Sequence, residues 1–214
     1  MTISALNEHL QWRAAVKEFN PSKKVSEKDV HQLLESINLA PSSFGLQPYR
    51  FYVISDEHIK EKMAKAGYGQ PQFSTASHLI VFASDKNVSE ADVDAYVDNI
   101  SKTRGVNKQD LTEYAQMMKG SMSSKSAIEM ENWAARQAYI PVGVLMAAAS
   151  VAKIDCSPME GFDAAEVSNI IGATEEGFMA RVVVALGYRS KDDKYAQMAK
   201  VRKPLAEIVT TVSQ

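Results

Sequence analysis

The sequence predicts an α+β fold of 214 residues, with most of its mass in helices. Apolar residues repeat at three- and four-residue steps over long stretches, which is typical of amphipathic helices. Runs of β-branched and aromatic residues are short and well separated, as expected for a few strands. No internal repeat or linker divides the chain, so we expect one domain over residues 1–214. An α/β fold is the alternative, because the same elements occur in both classes.

Two amphipathic helices open the chain. Thr2 can cap the first, and we expect it to run to Phe19–Pro21, because proline disfavours helix in the residue before it. Ser26 is the expected N-cap of the second helix, which should stop at Pro41. Each helix carries one apolar stripe that needs a partner surface.

The middle of the chain alternates between strands and helices. Residues 49–54 and 78–83 form β-branched and aromatic runs, and helical spacing at Ile59 and Met63 lies between them. This pattern indicates strand, helix, strand. Two further helical patterns, joined by a polar link, predict a helical excursion over about residues 90–124.

A long helix is predicted at residues 126–151, apolar nearly all round. That pattern indicates burial on several sides, in a core or against another subunit. Pro141 should kink this helix or make it begin afresh, because proline lacks an N–H and clashes with the carbonyl of Gln137. A helix at 164–171 and a strand at 182–186 complete the predicted elements.

Composition and motifs argue against several function classes. Lys and Arg number 24 against 26 Asp and Glu, so no global positive field attracts nucleic acid. The most apolar stretch, residues 138–152, is shorter than the roughly 20 residues of a membrane span. The four histidines lack metal-site spacing, and the single cysteine, Cys156, fits a small buried hydrophobe rather than a disulfide or zinc site. We therefore expect a cytoplasmic protein with no metal, membrane or nucleic-acid partner.

Three polar segments can carry chemistry. Arg13 and Lys17 would share one helical face, spaced for a single anion or for the two ends of one ligand. The loop at residues 40–49 offers hydroxyls and an amide to a heteroaromatic ring edge. The tail Lys200–Pro204 can cradle a phosphate. Taken alone, each has a plain alternative: a solvated helix face, an ordinary connector and a solubilising terminus.

Together these segments match one family. R-x-x-x-K near the N-terminus, APSSFGLQPYRF, YGQPQ followed by ASHLIVFAS, PMEGFD, VVVALGYR and K-x-R-x-P occur in that order between about Leu10 and Pro204. In this respect the chain resembles the FMN-dependent NAD(P)H nitroreductases of the oxygen-insensitive type, with their quinone and dihydropteridine reductase relatives. The resemblance implies a three-layer α/β/α fold with a central mixed, mainly antiparallel sheet, homodimeric through a long buried interface helix.

The resemblance also implies a set of FMN-binding residues. Arg13, Lys200 and Arg202 would hold the phosphate or ribityl chain, and Lys17 would reach the N1 and C2 carbonyl side of the flavin. A cation there stabilises the charge of reduced flavin. The remaining positions implied for the cofactor are Ala14, Ala15, Ser42, Ser43, Gln47, Gly69, Gln72, Glu160 and Gly161.

Two groups of these positions have more specific implied roles. The backbone at Glu160 and Gly161 would lie beside flavin N5, the atom that exchanges hydride. The loop with Ser42, Ser43 and Gln47 would come from the second subunit.

The sequence also departs from the family pattern. Ala15 stands where Ser is common, Gly69 near a common Asn and Gln72 near a common Lys, and Phe44–Leu46 differs from the commoner Thr-Asn-Ser. These changes put the flavin affinity and potential in question more than the cofactor itself.

The implied activity is hydride transfer from NADH or NADPH, through tightly bound FMN, to a flat acceptor. Nitroaromatic, quinone and pterin-like compounds are the expected acceptors, reduced by a ping-pong mechanism. FMN carries the chemistry, so no catalytic side chain is predicted. A flavin-binding, storage or sensor protein of the same fold without efficient turnover is the alternative. A helical interaction protein without flavin is a third hypothesis.

Overall fold

A four-stranded sheet forms the centre of the chain in the computed structural model, which describes residues 1–213. The strands are β1 (Tyr49–Ile54), β2 (His78–Asp85), β3 (Asp155–Met159) and β4 (Phe178–Gly187). The helices are α1 (Ile3–Trp12), α2 (Glu27–Asn38), α3 (Glu57–Ala66), α4 (Pro71–Thr75), α5 (Glu90–Arg104), α6 (Thr112–Ser123), α7 (Ala127–Val151), α8 (Ala164–Ile170) and α9 (Leu205–Ile208). The predicted α+β class is confirmed.

The strand order is β1-β2-β4-β3, and all three strand pairs are antiparallel. The expected sheet is mixed and mainly antiparallel, and the antiparallel pairing agrees with the second part of that expectation. Between residues 1 and 213, parallel pairing is limited to an isolated bridge from Ala15 to Cys156.

Helices cover both faces of the sheet and create two cores. Along β2, Leu79 and Val81 belong to one core, whereas Ile80 and Phe82 belong to the other, because successive strand residues point to opposite faces. The first core includes residues of α3, α4 and α8, and the second is built with α2 and α7. This gives the expected three layers.

The strand β3 has no counterpart among the predicted elements. Pro158 lies within it, and proline is tolerated in a sheet mainly at an edge, where one N–H faces away from the ladder. The strand order places β3 at an edge of the sheet.

The first helix is shorter than predicted. α1 ends at Trp12, and Arg13 already has an extended backbone at φ −62° and ψ 142°. Ala15 bridges to Cys156 and Phe19 bridges to Arg189. Tertiary pairing with β3 and with the end of β4 therefore replaces the last two predicted turns, and the prediction that Arg13 and Lys17 share a helical face is wrong.

The long helix is present and continuous. α7 begins with a capping box in which Ser126 and Glu129 bond each other's backbone, and it runs through Pro141 without a new start. One side packs on the sheet and α2, while Ile128, Tyr139 and Ile140 are 73%, 41% and 38% exposed. No helix within residues 1–213 is long and apolar enough to cross a membrane.

The helices of the predicted excursion, α5 and α6, form a third apolar cluster of their own. Its buried members are Val93, Val97, Met118 and Met122. Phe44 and Leu46, from the loop before β1, pack against this cluster. The helical excursion therefore supports the polar loop at residues 40–49.

Candidate functional site

A cleft of about 420 Å³ lies between the segment after α1 and the segment after β4. We call it the cationic cleft. It is lined by Gln11, Trp12, Arg13, Ala14, Ala15, Lys17, Tyr195, Ala196, Met198, Ala199, Lys200 and Arg202. Six of the predicted cofactor positions therefore meet here, namely Arg13, Ala14, Ala15, Lys17, Lys200 and Arg202.

The chain leaves α1 before Arg13, and this determines how the cations of the cleft are arranged. Arg13 has an extended backbone, Ala15 bridges to Cys156 and Lys17 lies at a bend, so residues 13–17 are not helical. Arg13, Ala14, Ala15 and Lys17 line this wall of the cleft, whereas Val16 is fully buried. Arg13 and Lys17 therefore do not sit one above the other, as they would one turn apart on a helix.

The cationic cleft carries positive charge without compensation from its own lining. Four of its residues are Arg or Lys and none is Asp or Glu. Burial and the charges of Arg13 and Arg202 lower the pKa of Lys200. A bound anion would relieve this repulsion, so the lining suits a phosphate.

Arg13 leaves one hydrogen-bond donor unused inside the protein. Among residues 1–213 its Nε atom is buried and has no hydrogen-bond partner. Buried polar atoms are almost always paired, so such an atom beside a cleft indicates a missing ligand. Arg13 also lies against the thiol of Cys156, where burial raises the thiol pKa to about 11 and the guanidinium partly opposes that shift.

The C-terminal segment that lines the cleft is hydrogen-bonded to the end of α1. Lys200 donates from Nζ to the carbonyl oxygens of Leu10 and Arg13, the latter at 2.7 Å. Arg202 donates to the carbonyl oxygen of its neighbour Val201 at 2.6 Å. Much of the hydrogen-bonding capacity of Arg202 therefore stays available.

A second group of predicted positions meets away from the cationic cleft. Gln70 donates from its side chain to the carbonyl oxygen of Gly161, which joins the turn at Gly69–Gln72 to Glu160–Gly161. Gln72 is 2% exposed, and its Oε1 has no partner among the described residues. Tyr139 of α7 lies beside Glu160. The pKa of Tyr139 is raised, first by burial and second by the negative charge of that carboxylate.

The third group, Ser42, Ser43 and Gln47, does not line the cationic cleft of its own chain. Gln47 donates from its backbone N–H to Ser42 Oγ at 2.9 Å, and Ser43 donates from its backbone to Gln137 Oε1 at 2.8 Å. Phe44 and Gln47 have φ of 58° and 44°, a region that costs side-chain-bearing residues energy. Packing and hydrogen bonds therefore hold this loop in a defined, strained shape.

The model of the nitroreductase family matches residues 10–188. The chain belongs to the nitroreductase family. It is 37% identical over 210 residues to a Staphylococcus haemolyticus protein named "Putative NAD(P)H nitroreductase", covering 92% of this chain and 93% of that one.

A second relative and a solved structure are also similar to the chain. This nitroreductase-family chain is 31% identical over 211 residues to the oxygen-insensitive NAD(P)H nitroreductase of Enterobacter cloacae, covering 92% and 95% of the two chains. It shares the fold of an Exiguobacterium sibiricum protein solved in complex with FMN, with a TM-score of 0.84, 21% identity and 99% coverage of both chains.

Sequence reasoning missed several residues of the site in this member of the family. Trp12, Tyr195 and Met198 line the cationic cleft although no motif includes them. Asp193, buried beneath it, was also missed. An acidic residue that is buried in a polar stretch has no periodicity to reveal it, and the family match ends at residue 188.

Proposed function

We propose that this protein is an FMN-dependent oxidoreductase that takes hydride from NADH or NADPH and reduces nitroaromatic, quinone or pterin-like acceptors. The observation that carries the proposal is the cationic cleft, with four cations and no carboxylate in its lining, in a chain of the nitroreductase family. The FMN complex of the Exiguobacterium sibiricum protein, which has the same fold, supports the choice of cofactor.

The residues of the cleft fit FMN. Arg13, Lys200 and Arg202 supply the charge-assisted donors that a phosphate needs. Lys17, four residues farther along the same wall, would meet the flavin ring. In a partly dry site its charge would stabilise the negative charge that reduction leaves at N1 and O2.

When bound, FMN supplies the hydride acceptance and donation at its N5 atom. The chain holds the rest of the site. Gln70 fixes the carbonyl oxygen of Gly161, and Phe162 donates from its backbone to the carbonyl oxygen of Glu160 at 2.9 Å. These contacts orient the Glu160–Gly161 backbone that we assign to the N5 side of the flavin.

We propose a ping-pong mechanism because the sequence contains no separate nicotinamide-binding fingerprint. Donor and acceptor would then bind in turn over one flavin face. Initial rates at several fixed acceptor concentrations should give parallel double-reciprocal plots. Intersecting lines would argue against the shared site.

A homodimer is part of the proposal. The exposed apolar side chains of α7 and of the tail, Val201, Leu205 and Val212 among them, leave surfaces that suit a second copy. The strained loop with Ser42, Ser43 and Gln47 would then reach the partner's flavin. Light scattering at micromolar concentration should give twice the chain mass of 23.6 kDa, and a mass near one chain would contradict this. We place the protein in the cytoplasm, where its buried free thiol stays reduced.

The decisive experiment is the visible spectrum of the protein after incubation with FMN and removal of the excess, followed by anaerobic addition of NADH or NADPH. Retention of about one flavin per chain, bleached within seconds by a nicotinamide, supports the enzyme. Retained flavin that neither nicotinamide bleaches would favour the binding or sensor protein. A colourless protein would overturn the flavin assignment.

A further inference from the structure

Asp193 is a buried acid that lies under the cationic cleft but is not part of its lining. It is 3% exposed, and it follows the last residue of the family match by five positions. Aspartate is almost never this buried unless its charge is met by hydrogen bonds or a counter-ion. Its partners therefore indicate why the fold keeps it there.

Four backbone N–H groups donate to this carboxylate, two from each side of the cleft. Oδ2 accepts from Lys17 at 2.6 Å and Glu18 at 3.1 Å. Oδ1 accepts from Tyr195 at 2.9 Å and Ala196 at 3.0 Å. One side chain thus joins two segments that lie 176 residues apart in the sequence.

These contacts keep Asp193 ionised, and backbone donors rather than the side chains of the cleft's cations bind its carboxylate. Burial raises its pKa, but the four backbone hydrogen bonds lower it more, and the pKa lies below its ordinary value. Within residues 1–213, no ion pair joins Asp193 to Arg13, Lys17, Lys200 or Arg202. The acid therefore fastens the walls without tying up a cationic side chain that a bound anion needs.

We propose that Asp193 is a positioning residue for the flavin, which fixes the Lys17 wall of the cationic cleft against the Tyr195–Ala196 wall. The inference rests on the proposed function. Asp193 acts through the backbone of Lys17 and through the turn that leads to Lys200 and Arg202, and it need not touch the cofactor. It sets the distance between the ring-side cation and the phosphate-side cations.

The test uses Asp193→Asn, which keeps the shape but replaces one carboxylate oxygen by an N–H₂ group. Whichever way the amide turns, two backbone donors lose their acceptor and face another donor. We expect the FMN dissociation constant to rise about ten- to hundredfold, since two charge-assisted bonds are lost. The flavin midpoint potential should become more negative, because Lys17 is no longer held in place.

Asp56→Ala, which removes a helix cap, is the control for a loss of stability alone. Asp56 caps α3 and accepts from the backbone of Ile59 at 2.9 Å, and it does not line the cationic cleft. It should lower stability while leaving the FMN dissociation constant within about twofold and the potential unchanged. If Asp193→Asn behaves like this control, Asp193 serves stability alone and the inference is overturned.

A measurement on the unmodified protein covers the case in which Asp193→Asn does not fold. The backbone amides of Lys17, Glu18, Tyr195 and Ala196 should gain protection from hydrogen exchange together when FMN binds. Protection of one wall without the other would overturn the inference. A wild-type protein that binds no FMN would overturn the proposed function first, before any variant is compared.

Discussion

The ammonium group of Lys200 donates a hydrogen bond to the backbone carbonyl oxygen of Arg13 at 2.7 Å, across 187 residues of sequence. A second bond reaches the carbonyl oxygen of Leu10. The last carbonyls of a helix lack partners within it and carry partial negative charge. Lys200 therefore satisfies the end of α1, and one of its three N–H groups remains for a phosphate.

Lys200 both bonds the end of α1 and lines the cationic cleft, so Lys200→Met removes both roles at once. It should weaken FMN binding by about tenfold or more, because a charged donor is lost and the tail is released from α1. Lys203→Met is the control, since Lys203 is exposed and does not line the cationic cleft. FMN titration by fluorescence quenching measures both. Equal affinities for the two variants would remove Lys200 from the site.

Arg202→Ala should distinguish the contribution of the phosphate to FMN binding from that of the flavin ring. Arg202 bonds only a neighbouring carbonyl among the described residues, so its loss should disturb the fold little. We expect FMN affinity to fall about tenfold while riboflavin, which lacks the phosphate, binds unchanged. The difference should shrink between 0.05 and about 0.5 M salt, because screening weakens the interaction of exposed charges. Equal losses for both ligands would contradict a phosphate role.

Local patterns predicted much of the fold. Thr2 and Ser26 were identified as caps from single residues and their neighbours, and both cap the helices observed. The strand at Tyr49–Ile54 was predicted with its bounds. The end of α1 was not, because the pairing of Ala15 with Cys156 joins residues 141 apart, and no local pattern contains it.

The site was predictable only as far as motifs extend. The resemblance brought Arg13, Lys17, Lys200 and Arg202 together, and the structure places them in one cleft. The resemblance did not predict Asp193 or Trp12 as residues of the site. The ring centroid of Trp12 lies 4.6 Å from Lys153 Nζ and 4.6 Å from Arg189 Cζ, and these cation–π contacts depend on three distant segments.

Cys156 should be inert in the folded protein. It is 1% exposed, and burial raises its pKa to about 11, so at pH 8 the reactive thiolate is almost absent. A thiol reagent should modify less than a tenth of a group per chain in minutes, and one group in guanidinium chloride. Because the unfolded thiol ionises at lower pH, its contribution to stability should be lost as the pH rises toward about 11. Rapid native labelling would show that β3 opens.

The excursion should affect the choice of acceptor through the loop before β1. Tyr114 of α6 packs against the third cluster, and its hydroxyl donates to the carbonyl oxygen of Phe44 at 3.5 Å. Tyr114→Ala should therefore change the ratio of kcat/KM between a nitroaromatic and a quinone by about threefold or more, with FMN affinity unchanged. Met118→Ala is not a suitable probe, because Met118 is fully buried and its truncation should cost about 2–5 kcal/mol of stability. An unchanged acceptor ratio in Tyr114→Ala would refute the role.

Gly45 is the position where the loop and the excursion meet most tightly. Its φ is +80°, and a Cβ atom there would lie 2.2 Å from Tyr96 Oη and 2.8 Å from Tyr96 Cζ. Gly45→Ala should therefore lower the free energy of unfolding by about 2–4 kcal/mol, from backbone strain and overpacking together. Gly120→Ala, in α6 with open space around it, should instead stabilise by up to about 1 kcal/mol.

A double-mutant cycle separates the two causes at Gly45. Tyr96→Ala removes the clash but leaves the positive φ, so Gly45→Ala should cost less in that background, by about 1 kcal/mol or more. Urea unfolding of the four proteins, all at the same FMN occupancy, measures the coupling. If the two substitutions are additive, contact with Tyr96 does not contribute to the cost of Gly45→Ala, and the positive φ alone accounts for it.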